Sequence, residues 1–307
     1  MTEPVPNEIA QDLRRAKRLA WWTIGWMASI VMVMGLVMGS SQAMKTAFIE
    51  DLLSVVPSIS LLVALKLERK DANPRFPWGY DRVHSLAFLI AAVALTAMGA
   101  VLLIESLITL AMREHVTIPS MHLFGQQVWM GWLMIAALAY SVVPPLILGR
   151  MKLPIARRTH DMVLHTDAQM QKADWMTGLA GIAGIVGIGF GFWWADAGAA
   201  ALISLSILDD GVRALRSSAA ELVDAAPRDL GTSRTAEEAK ALASELRRRW
   251  PGGEVRLRES GRYLQAQIVG AASPGEVDLK QVWPGDPRRA WRFAELSFVP
   301  PEPEARP

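Results

Sequence analysis

LAFLIAAVALTAMGAVLLIESLITLAM, residues 86–112, decides how this chain is read. Its one ionisable residue is Glu105, and the rest is almost wholly aliphatic. A helix needs about 20 consecutive, mostly apolar residues to cross the hydrocarbon core of a bilayer. Working outward, runs of similar length and character occupy residues 19–39, 45–65, 128–148, 163–193 and 195–214, with short polar loops between them. The expectation is an integral membrane protein: an all-α bundle of six spans over residues 19–222, preceded by a polar segment at 1–18. No cleavable signal peptide is expected, because the first 18 residues are polar and no small-residue cleavage site follows a short apolar core.

Lys and Arg alternate between the loops. Arg14, Arg15, Lys17 and Arg18 precede the first span, Lys66, Arg69, Lys70, Arg75 and Arg82 follow the second, Arg150, Lys152, Arg157 and Arg158 follow the fourth, and Arg213 and Arg216 end the sixth. The intervening loops are poor in both residues. Positive charge stays on the cytoplasmic side, so both termini are expected there, and an inner membrane is the expected location. The whole chain carries a net charge of only +2, which gives no reason to expect nucleic acid as a partner. It has no cysteine, which excludes disulfides and thiolate metal ligands. No nucleophile–base pair or cofactor loop marks an enzyme, and no resident cofactor is implied.

After Pro227 the sequence turns to soluble character. Residues 235–249 read as an amphipathic helix with Ala236, Ala239, Leu242 and Leu246 on one face. Pro251-Gly252-Gly253 ends it. Alternating strands follow at 254–259 and 263–269 around a turn at Gly261, with another at 293–299. Residues 223–299 are therefore expected to form a small cytoplasmic α+β domain of the ferredoxin-like type, followed by a disordered tail at 300–307. The tail lacks Cys, and it lacks His because none follows His165, so a histidine-based metal sensor there is excluded.

Ionisable residues inside a span are costly and so mark function. Glu50 and Asp51 fall in the second span, and Asp167, Lys172 and Asp174 in the fifth. Glu50 and Ser54 are four apart and share a helix face, as do Asp167, Met170 and Asp174. Glu50 and Asp174 meeting inside the bundle would give a carboxylate site for a divalent cation. Protons would compete for it, because metal ligands must be deprotonated. Each group also has a structural reading: Asp51, Asp167 and Lys172 as ion-pair partners, Met170 as core filler, His165 as a solvated or hydrogen-bonded histidine, and Asp209 and Asp210 as partners of Arg213 or a neighbouring loop.

Three stretches together resemble the cation diffusion facilitator family: Ala47-Phe-Ile-Glu-Asp-Leu-Leu-Ser54 with Leu61-Leu-Val-Ala-Leu65; Arg75-Phe-Pro-Trp-Gly-Tyr-Asp-Arg-Val-His-Ser-Leu-Ala87; and Asp167-Ala-Gln-Met-Gln-Lys-Ala-Asp174 with Glu221-Leu-Val-Asp-Ala-Ala-Pro227. The resemblance implies a homodimeric exporter, surrounded by membrane lipid, that exchanges a divalent cation such as zinc or another transition metal for protons. Its metal site would fall on Glu50, Ser54, Met170 and Asp174, with Asp51, Asp167 and Gln169 as further candidates. The chain departs from the family pattern at Ser54 and Met170, at Phe76, where the loop motif has His, and at His84, where it has Glu. A site without imidazole is a poorer fit to tight zinc binding. The alternative is a non-transporting dimeric scaffold or regulatory protein of the same fold.

Overall fold

The structure, a computed structural model, describes residues 5–37, 42–113, 120–123, 126–232 and 234–300. It is mostly helical, with a small sheet at the C-terminal end. The long helices are α1 (Asn7–Val37), α2 (Gln42–Leu67), α3 (Val83–Met112), α4 (Met130–Thr159), α5 (Met162–Gly189) and α6 (Ala195–Leu222). Between α3 and α4 lies a hairpin that the hydropathy reading lacks, β1 (Ser120–Leu123) with β2 (Gln126–Trp129). Residues 128 and 129, expected to open the fourth span, are strand. Among the described residues one helix, Val83–Met112, is long and apolar enough to cross a membrane unaided. In α5 and α6, Asp167, Lys172, Asp174, Asp209, Asp210 and Arg213 interrupt the apolar surface.

Small residues bring the helices together. Ala16 and Ala20 of α1, Ala64 of α2, Ala91 of α3, Ala156 of α4 and Leu164 of α5 share one buried cluster. Helices α3 and α6 approach each other closely. A Cβ added at Gly99 would lie 2.7 Å from the Leu208 backbone nitrogen, and one at Gly211 would lie 2.7 Å from the Thr96 Cα. The two helices thus touch backbone to backbone, a contact that only residues this small permit. The Gly-rich half of the fifth span behaves similarly: a Cβ at Gly178 would strike Val142 of α4.

The C-terminal unit contains α7 (Glu237–Arg249), β3 (Glu254–Ser260), β4 (Tyr263–Val269), α8 (Leu279–Val282), a 3-10 turn at Pro287–Arg292 and β5 (Phe293–Val299). The sheet order is β3-β4-β5, antiparallel then parallel. Leu242 and Leu246 of α7 pack on Leu264, Ala266 and Ile268 of β4 and on Phe293 of β5. A β-α-β-β-α-β ferredoxin-like fold has four strands; the described sheet has three and no leading strand.

The β3–β4 turn presses on the helix ends. Gly261 (φ +62°) sits where a Cβ would meet the Asp81 carbonyl and His84 at 2.9 Å, and its N–H donates to Ser85 Oγ at 3.2 Å. Ser85 donates to Glu221 Oε1 at 2.6 Å. Arg262, almost fully buried, pairs with Glu68 at the end of α2 and with Asp161 at 3.4 Å. Asp161 also caps α5 by accepting from Leu164 N at 2.9 Å. His84 Nε2 lies 3.1 Å from Glu68 Oε2. Burial pushes the Glu68 carboxyl up, but His84 and Arg262 outweigh it and hold it at about 2. Glu221, past the apolar part of α6, is pushed up to about 7 by burial, with the Ser85 and Gly261 bonds opposing.

Two predictions follow from these contacts. Gly211→Ala should lower stability by about 1–3 kcal/mol through overpacking. Gly25→Ala, where a Cβ meets nothing within 4 Å, should be neutral or slightly stabilising, because Ala is the better helix former. Thermal unfolding in detergent measures both. The second prediction concerns pH. The folded-state pKa of Glu221 is raised, so its contribution to stability is full below the unfolded value of 4.5 and is lost as pH rises through about 7. Protease sensitivity of the junction at residues 223–236 should rise over that window in the wild type and rise less in Glu221→Gln, where Glu259, pushed up to about 8 by burial, still titrates.

Candidate metal centre

Helices α2 and α5 meet through side chains spaced by whole turns. Ser54 and Ser58 are four apart on α2, and Asp167 and Asp174 are seven apart on α5. Ser54 Oγ donates to Asp174 Oδ1 at 2.6 Å, and Ser58 Oγ donates to Asp167 Oδ1 at 2.7 Å. The pairing runs in opposite senses along the two helices, so they are antiparallel here.

The lower pair belongs to a closed cluster. Lys152 of α4 is completely buried, and its ammonium donates to Asp167 Oδ2 at 2.6 Å, Thr23 Oγ1 at 2.7 Å and Ser58 Oγ at 3.3 Å. An ammonium has three N–H donors, and all three are used. Asp167 is likewise fully buried. Its carboxylate is committed to an ion pair inside the bundle. Lys152, counted in the sequence as a loop cation, is interior instead. Helix α4 continues to Thr159 and carries it back into the bundle beside α1, α2 and α5.

The upper pair is more open in its chemistry. Asp174 Oδ2 lies 3.4 Å from Gln171 Nε2, one turn back on α5, while Oδ1 accepts from Ser54. Ser54 Oγ is also 3.8 Å from Met98 Sδ. Carboxylate, hydroxyl, amide oxygen and thioether can all coordinate a divalent ion. Met170 is fully buried in a cluster with Ala94, Leu95, Met98, Ala173 and Ile207, and the thioether set beside Ser54 is that of Met98. Gln169 turns elsewhere, lining a small cavity with Lys172 and Asp210. The side chains of Glu50 and Asp51 lie outside the described residues. Glu50 precedes Ser54 by one turn of α2, so the helical face of Ser54 and Ser58 is also its own. Among the described residues, no cluster of three or more His, Cys, Asp or Glu could hold a metal.

Other candidates are ion-paired. Lys172 bonds Asp210 at 3.1 Å, and Arg213 bridges Asp209 and Asp210. His165 is half-buried, with Gly231 placed close against its ring. Sequence reasoning missed Ser58, Met98, Lys152, Gln171 and Thr23. Ser58 was available as the next step of the stripe Glu50, Ser54, Ser58; the others come from other helices or from the same face of α5 and carry no periodic signal.

Removing one partner of a buried pair strands the other charge. Lys152→Met should destabilise the bundle by about 3–5 kcal/mol, and Lys152→Met with Asp167→Leu should recover most of the loss, because a packed apolar pair is often no worse than a buried ion pair. Thermal unfolding of the two variants and of Asp167→Leu, combined as a double-mutant cycle, measures the coupling.

A family profile described as the cation efflux transmembrane domain matches residues 20–223, which run from the apolar part of α1 through α6. Two proteins named "Probable cation efflux system protein", from two strains of Mycobacterium tuberculosis, are each 26% identical over 262 residues, covering 83% of this chain and 71% of the relative. On the extent of the profile match, this chain belongs to the cation efflux, or cation diffusion facilitator, family of membrane transporters.

Proposed function

We propose that this chain exports a divalent transition-metal cation from the cytoplasm in exchange for protons. Helices α1–α6 are six spans of an inner membrane, both termini are cytoplasmic, and two copies form the working dimer. Cation efflux is the activity of the family, and the relatives carry that activity in their names. Asp174 and Glu50 are the charged ligands, Ser54 supplies a hydroxyl, and a thioether comes from Met98 or Met170. Asp167 is assigned to the Lys152 ion pair, outside the ligand set.

The observation that carries this reading is the Ser54–Asp174 hydrogen bond at 2.6 Å. It brings an intramembrane carboxylate against the face of α2 that also bears Glu50. An ion entering between α2 and α5 displaces the Ser54 proton donor and takes the Asp174 oxygen. Protonation of the same carboxylates releases it. Alternating access then amounts to α2 and α5 opening first to one side and then to the other. The oxygen-rich ligand set favours zinc less than an imidazole site would, and is compatible with manganese, iron(II) or cobalt.

The test is metal uptake into proteoliposomes carrying an interior pH probe, run with zinc, manganese, iron(II), cobalt and cadmium. Wild type should move at least one of them against an opposite proton flux. Asp174→Ala and Glu50→Ala should abolish that flux while still inserting as folded protein. Ser54→Ala, which removes the hydroxyl ligand and leaves both carboxylates in place, should weaken metal affinity without abolishing it. Unchanged transport in Asp174→Ala overturns the site. A folded wild-type protein that neither binds nor moves any of these metals favours the non-transporting scaffold instead.

A further inference from the structure

A large cavity shares no lining residue with the metal centre. It is a groove of about 1060 Å³ between the first half of α1, the end of α2 and the start of β4. Its cationic part is formed by Arg14, Lys17 and Arg18 of α1 and Arg69 in the turn just after α2, all exposed. Its other end is formed by Trp21 and Trp22, 58% and 65% exposed. One acid, Glu68, lines the wall, and it is taken by Arg262 beside it. Among the described residues, none of the four exposed cations has an ion-pair partner. A concentration of uncompensated positive charge around a cavity is a site for an anion.

The order of residues along α1 defines that anion further. Arg14, Lys17, Arg18, Trp21 and Trp22 stand at i, i+3, i+4, i+7 and i+8, so they form one stripe. At 1.5 Å per residue, the indoles lie about 5–10 Å beyond the cations along the helix. Tryptophan favours the level of the headgroups at a membrane surface, where one side of the ring is apolar and the other wet. A stripe that is cationic at one end and aromatic at the other matches an amphiphile with a charged head and an apolar body. The volume agrees: it is at the upper end of the roughly 300–1,000 Å³ of ordinary ligand cavities and far larger than one inorganic anion needs.

We propose that this groove binds an anionic phospholipid, with its phosphate held by Arg14, Lys17, Arg18 and Arg69 and its glycerol and upper acyl chains lying against Trp21 and Trp22. The inference rests on the membrane-embedded reading of α1–α6 but not on the metal site, so it stands or falls independently of transport. Arg262 and Tyr263 of the C-terminal unit form part of the same wall. The bound lipid therefore spans α1, α2 and the β3–β4 turn, and its occupancy holds the C-terminal unit against the helix ends.

The test uses delipidated full-length protein in neutral detergent. Native mass spectrometry counts bound lipid, and thermal unfolding reads its effect, with phosphatidylglycerol, phosphatidylcholine or inorganic phosphate added. Phosphatidylglycerol should bind at least about tenfold more tightly than phosphatidylcholine and raise the unfolding temperature, because basic side chains at a membrane surface attract anionic headgroups. The surface triple variant Arg14→Ala, Arg18→Ala, Arg69→Ala should keep its fold, lose the preference and show no lipid-dependent stabilisation. Equal binding of the two lipids, or an undiminished preference in the triple variant, overturns the proposal. So does inorganic phosphate alone reproducing the stabilisation, which would make the groove a free-anion site. A triple variant that falls from dimer to monomer while wild type ignores lipid would make the groove an interface between copies, and also overturns it.

Discussion

The bundle depends on one buried charge. Lys152 has no contact with solvent, and an ammonium taken out of water costs several kcal/mol unless its donors are all satisfied. Its three acceptors come from three different helices: Thr23 of α1, Ser58 of α2 and Asp167 of α5. Helices α1, α2, α4 and α5 are therefore fixed to a single point. This constraint sets the register of α2 against α5. With Ser58 opposite Asp167, the next turns bring Ser54 opposite Asp174, and the geometry of the candidate site follows from a cluster that is not part of it.

The helix positions were legible because each apolar run is long and its loops are short. The limits were not. Helix α1 begins at residue 7, before the apolar run, and α4 ends at residue 159, well after it, because polar helix that continues outside a membrane carries no hydropathy signal. The strand at residues 126–129 is too short to separate from the start of a span, since its two apolar residues, Val128 and Trp129, run straight into the apolar run. In the tail, the strands 254–260, 263–269 and 293–299 match the alternation in the sequence almost residue for residue, because each is half-buried on α7 or on the domain core.

The candidate site was legible only in part. Asp174 and Ser54 were identified from spacing, since a polar side chain on an apolar helix stands out. Asp167 was legible as an ion-pair partner, but the cation it pairs with was not. Its partner Lys152 is 15 residues away in sequence, and the third contact, Thr23, is 129 residues from Lys152. In the sequence Lys152 looks like any other cytoplasmic loop cation, and only the continued helix turns it inward. The link between the C-terminal unit and the helices was hidden for the same reason: Arg262 meets Glu68 across 194 residues. A basic residue in a hairpin turn has no pattern that names its acid.

Taken together, these assignments give the interior a simple charge balance. Lys152 and Asp167 cancel, and Asp167, seven residues from Asp174 along α5, is about 10 Å from it along the helix axis. On the proposed reading, what remains between α2 and α5 is the pair Glu50 and Asp174. Two ionised carboxylates in a low-dielectric interior repel each other strongly and cannot persist without a counter-charge. One divalent cation neutralises them, and so do two protons. In the proposed exchange the site alternates between two neutral states, metal-loaded and doubly protonated, and the state with neither is the expensive one. In that proposed cycle, the expense is what would enforce exchange.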